Sequence, residues 1–184
     1  MTLVNKKPLL IIAGLVGLGF IAWLAFGFFG IQAAFIDNEV SEGGPVFGSA
    51  EFEEAMDEAE ENQNTVNEPL GDVMPGDIVT QFSAPFAGVS RYTITGQALV
   101  LNDGSDQRFL RFDEDFSTNN GPDLKVYLRA ENGDFVSLGD LRGNIGDQNY
   151  EIPVDVDLNV FSEVQIWCER FSINFGGAFL EPVV

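Results

Sequence analysis

From residue 124 to residue 130 the side chains alternate without a break, with Leu124, Val126, Leu128 and Ala130 on one side and Lys125, Tyr127 and Arg129 on the other. Among regular structures only an extended strand repeats every two residues, so this segment is a strand with one dry and one wet face. The same texture runs through 78–184. Short apolar stretches at 78–82, 92–101, 108–112, 135–138, 149–152, 164–169 and 171–175 are separated by turn chemistry such as Asn102-Asp103-Gly104, Asn120-Gly121-Pro122 and Asn132-Gly133-Asp134. Glycine and asparagine accept the positive φ that tight turns require, and Asn132-Gly133 is the strongest hairpin signal among them. About seven to eight strands in so short a stretch predict an all-β fold, an antiparallel two-sheet sandwich, because each sheet must cover its apolar face with another layer.

The N-terminal part reads differently. Residues 8–36 carry no charge and are apolar on every face. That predicts a transmembrane helix, since about 20 such residues cross a hydrocarbon core of roughly 30 Å. Cleavage after Ala33 or Ala34 is the alternative, but the apolar core of a secretory signal is shorter and neither alanine sits in a good small-x-small pattern. Lys6 and Lys7 before the run, and acids after it, predict a cytoplasmic tip at 1–7 and a single-pass cell-membrane protein whose C-terminal domain lies on the extracytoplasmic side. Residues 37–77 hold 13 acids and no Lys or Arg, together with Gly43-Gly44-Pro45, Pro69 and Pro75. They carry too few apolar side chains for a core, and a disordered, flexible acidic stalk is expected.

The charge balance excludes whole classes of function. A net charge of −20 leaves no basic patch with which to hold nucleic acid. Most of the imbalance belongs to the expected stalk, because 78–184 holds 16 acids against seven bases, a net charge of −9. Histidine is absent and Cys168 is the single cysteine. An intramolecular disulfide, a Cys/His zinc site and a Ser-His-Asp or Cys-His nucleophile are therefore out of reach of one chain. Asp113, Asp115 and Asp123 place hard oxygen ligands in loops, as calcium requires, although their spacing matches no EF-hand loop. No spacing of carboxylates selects a catalytic pair.

Several runs resemble a known family. Leu110-Arg111-Phe112-Asp113, Asn120-Gly121-Pro122-Asp123-Leu124-Lys125-Val126-Tyr127-Leu128, Gly146-Asp147-Gln148-Asn149-Tyr150-Glu151-Ile152-Pro153 and, most specifically, Val164-Gln165-Ile166-Trp167-Cys168 follow one another in the order of the DM13 domain family. The resemblance covers about 82–180. It implies a β-rich extracytoplasmic domain that takes part in electron transfer with a redox partner protein, through a characteristic cysteine or a bound prosthetic group. Carried over, that cysteine is Cys168. Family patterns place a histidine near the position of Tyr92 or Thr93, and this chain has none, so a haem-like group would take its sulfur ligand from Cys168, with Trp167 and Tyr92 as accompanying residues.

The residues themselves leave two readings of Cys168 open. On a regular strand it shares a face with Val164 and Ile166, while Gln165, Trp167 and Glu169 point the other way, so the thiol faces inward. Phe171, Ile173 and Phe175 continue the parity of Trp167, which predicts a bulge between Glu169 and Phe171 that brings Arg170 toward the sulfur. Under the first reading the sulfur is redox-active. Under the second it is a small core hydrophobe in a non-enzymatic module that binds a protein or glycan, with Trp167, Tyr127 and Tyr150 as an aromatic platform.

Overall fold

The computed structural model describes residues 7–28, 36–48 and 78–183. An α-helix, α1, spans Lys7–Ala22 and passes into a π-helical segment at Trp23–Phe28. Among the described residues twelve strands follow: β1 (Val79–Pro85), β2 (Ala87–Gly88), β3 (Ile94–Thr95), β4 (Gln97–Asn102), β5 (Arg108–Phe112), β6 (Ser117–Thr118), β7 (Leu124–Arg129), β8 (Phe135–Asp140), β9 (Gln148–Ile152), β10 (Glu163–Cys168), β11 (Ile173–Phe179) and β12 (Glu181–Pro182). They form two five-stranded sheets, β12-β1-β4-β5-β9 and β2-β11-β10-β7-β8, and the small pair β3-β6. Every named pairing is antiparallel.

The two-sheet part of the expected fold stands. Val100, Leu110 and Phe112 from one sheet meet Val126, Leu128, Val164, Ile166 and Cys168 from the other, all with essentially no exposure. Phe86, Phe112 and Phe116 pack ring to ring between them, with centroids 4.6 to 5.2 Å apart. The alternation in β7 appears as predicted, with the addition that outward-facing Tyr127 is also buried, stacked on Phe135. The single long strand expected at 92–101 is split into β3 and β4 at Gly96, whose φ of +88° only glycine adopts easily and whose Cβ position is filled by Phe116 backbone.

The membrane-crossing part of the expectation fails. Among the described residues no helix is long and apolar enough to cross a membrane. The regular α-helix has 16 residues, about 24 Å at 1.5 Å per residue, and the backbone then changes to a π-helical path.

The acidic stalk also begins differently. Residues 36–48 lie against the domain as a strap, while 49–77 fall outside the described residues. Val40 N donates to Ile145 O at 2.9 Å, Ile145 N to Asn38 O at 3.3 Å and Glu42 N to Asp147 O at 3.1 Å, and Glu39 and Ile145 form a parallel bridge. Phe47 packs edge-on against Phe109, with ring centroids 5.0 Å apart.

Candidate functional site

Cys168 is the last residue of β10 and is 1 % exposed. Its partners across the sheet are Leu124 on β7 and Ile173 on β11, which share its face and flank the sulfur. The chain then leaves the ladder through Glu169, Arg170, Phe171 and Ser172. Glu169 N is tied to Asp123 O at 2.9 Å, and Ser172 N reaches Glu169 O at 3.3 Å. Ser172 holds a φ of 52°, which is uncommon for a residue with a side chain. The bulge expected between Glu169 and Phe171 is instead this turn. The ladder slips further on, where Ile166 pairs with Gly176 and Trp167 with Asn174, leaving Phe175 as the extra residue.

Tyr92 stacks on Phe175 with ring centroids 3.9 Å apart and an interplanar angle of 17°. A Cβ on Gly121 would lie 2.7 Å from Leu124 Cδ2 and 3.1 Å from Phe175 Cζ, so this end of the sandwich is already filled. A cavity of about 260 Å³ between the strap and the 120–124 loop is lined by Leu124 and Asp123 but not by Cys168.

Trp167 lies on the opposite face of β10 from Cys168. It is half-buried beside Arg129, whose guanidinium stands 5.7 Å from the ring. The three residues that the family resemblance assigns to a prosthetic group are therefore not gathered: Tyr92 belongs to the core side with Phe175, and Trp167 to the outer surface. With the thiol enclosed by Leu124 and Ile173 and no room beside Gly121, these residues do not fit a flat macrocycle ligated by Cys168.

The aromatic platform does not assemble either. Tyr127 and Trp167 share the outer face of the second sheet, but Tyr150 is 2 % exposed in the core. Its hydroxyl donates to Gln148 Oε1 at 2.6 Å, and burial pushes its pKa upward. Asp113, Asp115 and Asp123 are not drawn together. Asp113 Oδ1 accepts from Gln97 N at 2.9 Å, Asp115 is exposed with its backbone oxygen bound by Thr95, and Asp123 pairs with Lys125 at 3.1 Å. Among the described residues no group of three or more His, Cys, Asp or Glu side chains is placed to hold a metal ion.

Two features escaped sequence reasoning. Lys125 is surrounded by Asp140, Asp123 and Glu169, and hydrogen bonds from its ammonium to Asp140 and Asp123 push its pKa upward. Gln148, with no exposure, accepts from Tyr150 and from the backbone of Arg142 and Gly143, and donates to the carbonyls of Gly143 and Gly146. It holds the 142–146 loop in the shape that receives the strap. The wet face of β7 pointed to Lys125 without its partners, and nothing in the local pattern marked a glutamine for burial.

A small antiparallel β-sandwich with a lone thiol closed into the end of a central strand is a distinct kind of domain. A family model described as Electron transfer DM13 matches residues 86–180, slightly more than half of the chain. The chain belongs to the DM13 family. Searches of curated proteins and of solved structures returned no match. The matched region covers β2 to β11, so β1 and the strap lie outside it.

Proposed function

We propose that the domain transfers electrons through Cys168, by exchange of its thiol with a disulfide on a partner protein. Membership of an electron-transfer family supports the reaction class. The observation that carries the residue assignment is that the sole cysteine occupies the terminal rung of β10, next to an exposed turn with Ser172 in a strained conformation. A terminal rung opens at lower cost than the ladder behind it. Once exposed, the thiol gives its proton to water and the thiolate attacks one sulfur of the partner's disulfide. A new S–S bond forms as the partner's breaks, and the partner's second sulfur leaves as a thiolate. At this stage one sulfur on each side has changed by one formal electron. A thiol on a second molecule then attacks the Cys168 sulfur of the mixed disulfide and the partner's remaining sulfur leaves as a thiolate, so the partner has gained two electrons and Cys168 is now bonded to that second thiol.

The 1 % exposure of Cys168 favours a second reading, a recognition domain in which the thiol only fills the core. Incubating the folded protein with oxidised glutathione and weighing the product separates the two. The electron-transfer reading requires a mixed disulfide on Cys168 under native conditions, absent in Cys168→Ala. A thiol that stays free until the chain unfolds, with full biological activity in Cys168→Ala, supports the second reading instead.

A further inference from the structure

The strap at 36–48 has no residue in the core cluster of the sandwich. It is held by polar contacts along one edge. Glu42 anchors it: its carboxylate accepts from Arg142 Nη1 at 2.5 Å, from Asn149 N at 2.8 Å and from Asn149 Nδ2 at 3.2 Å. Arg111 lies between the strap and the sheet. It donates to Gly43 O at 2.9 Å and to Glu42 O at 3.3 Å while bonded to Asp147 Oδ2 at 2.5 Å. Asp37 Oδ1 accepts from Asn120 Nδ2 at 2.7 Å and from Asn144 Nδ2 at 3.0 Å, and Glu151 shares the cleft that Glu42 lines.

The surface beneath is shaped for this occupant. A Cβ on Gly146 would come within 2.0 Å of Val40 O, and one on Gly143 within 2.5 Å of both Asn38 O and Val40 Cγ2. Side chains at either position would push the strap off, so the loop is bare where the strap crosses it.

We propose that residues 36–48 form a charge-latched strap, closed over the 142–149 edge while Glu42 is paired with Arg142 and lifting away when that pair is broken, with both sheets remaining folded. The reason for separate opening is energetic. The ion pair is partly solvated, with side chains 26 % and 50 % exposed, and screens readily. The remaining attachments are edge hydrogen bonds and one ring contact, the composition of a segment that opens below the global unfolding free energy. Lifting uncovers the backbone of Ile145 and Asp147, which the strap now pairs.

Amide hydrogen exchange on the full chain tests this. In Glu42→Ala the amides of Val40 and Ile145 should exchange about tenfold faster than in the wild type, as expected for losing one charged pair and its shared hydrogen bonds. The amides of Val126 and Val164 should be unchanged. Raising salt to about 1 M, where the Debye length falls to roughly 3 Å, should accelerate the same two amides, one on each side of the strap contact, in the unsubstituted chain, which keeps the test valid if the variant folds poorly. Strap and core amides accelerating together, or strap amides indifferent to both perturbations, would overturn the proposal.

Discussion

Replacing Gly146 by alanine isolates the contact between strap and sandwich, provided it is compared with the same change at Gly104. The two glycines have nearly equal φ, +96° and +93°, so a Cβ strains the backbone similarly at both. That strain costs about 1–2 kcal/mol. At Gly104 the new methyl meets nothing within 4 Å, whereas at Gly146 it would overlap Val40 O at 2.0 Å. The overlap cannot be relieved by a rotamer change because the obstructing atom is backbone. The strap has to move, and with it go the Val40–Ile145, Asn38–Ile145 and Glu42–Asp147 hydrogen bonds. At about 1 kcal/mol net for each, the excess loss in Gly146→Ala over Gly104→Ala is about 2–3 kcal/mol. Its upper bound is the cost of lifting the whole strap, which also carries the Glu42–Arg142, Glu42–Asn149 and Arg111–Gly43 contacts, because once the strap has lifted the methyl is free. Equilibrium urea unfolding of the two variants measures the difference. Equal losses would refute the reasoning, since strain alone would then account for both.

Other perturbations follow from the same geometry. Cys168→Ala should cost about 1–2 kcal/mol for the deleted core atom, and Cys168→Ser about 1–3 kcal/mol more for a hydroxyl left without a partner. If urea unfolding shows serine to be as stable as cysteine, a polar group or water reaches that pocket. Burial works to raise the Glu42 carboxyl, but Arg142 and the Asn149 amides outweigh it and hold it below the ordinary value; Asp147 is likewise depressed by Arg111 against its burial. Both groups bind protons more weakly in the folded state, so their stabilisation is complete above the ordinary carboxylate range of about 3.9–4.3 and is lost as pH falls through the lowered values. Thermal midpoints taken from neutral pH down to pH 3 should therefore fall less steeply in Glu42→Gln than in the wild type, and identical profiles would count against the latch. Lys125→Met should lose about 1 kcal/mol at low salt by leaving Asp123, Asp140 and Glu169 facing one another. A loss that persists unchanged in concentrated salt would show that packing, not charge, is what Lys125 contributes.

What could be read from the sequence was whatever depends on neighbours along the chain. The period of two placed Leu124, Val126 and Leu128 inside and set Cys168 and Trp167 on opposite faces of one strand, as observed. Residues 108–112 were delimited correctly because Arg108 and Phe112 bound a short apolar run between turns. β11 spans Ile173–Phe179 where the sequence predicts a strand at 171–175. Gly176 and Gly177 weaken a strand signal, yet they sit where a Cβ would meet Ala87 O at 2.2 Å and Val164 O at 2.1 Å, so they are glycine because neighbouring backbones approach closely. The strap was invisible for a different reason. Glu42 has no apolar period around it, and its partners Arg142 and Asn149 lie 100 and 107 residues away. Apolar composition over 8–36 suggested a span, but it does not report where the backbone leaves the α-helical path, which happens after Ala22. The thiol's inward direction is legible from parity, whereas the enclosure that leaves no place for a ligated macrocycle comes from two segments distant in sequence, Gly121 with Leu124 and Ile173 with Phe175 on β11.

Electron transfer through Cys168 requires the end of β10 to open without the rest of the sandwich. The most direct measurement is the rate at which Cys168 reacts with a disulfide reagent as urea is raised within the folded baseline. Local fraying of the terminal rung exposes little surface, so the opening free energy should depend on urea with a slope well below the equilibrium unfolding slope. A reaction whose urea dependence equals that of global unfolding would mean that the sulfur is reached only when both sheets come apart, and Cys168 could not then be the electron carrier.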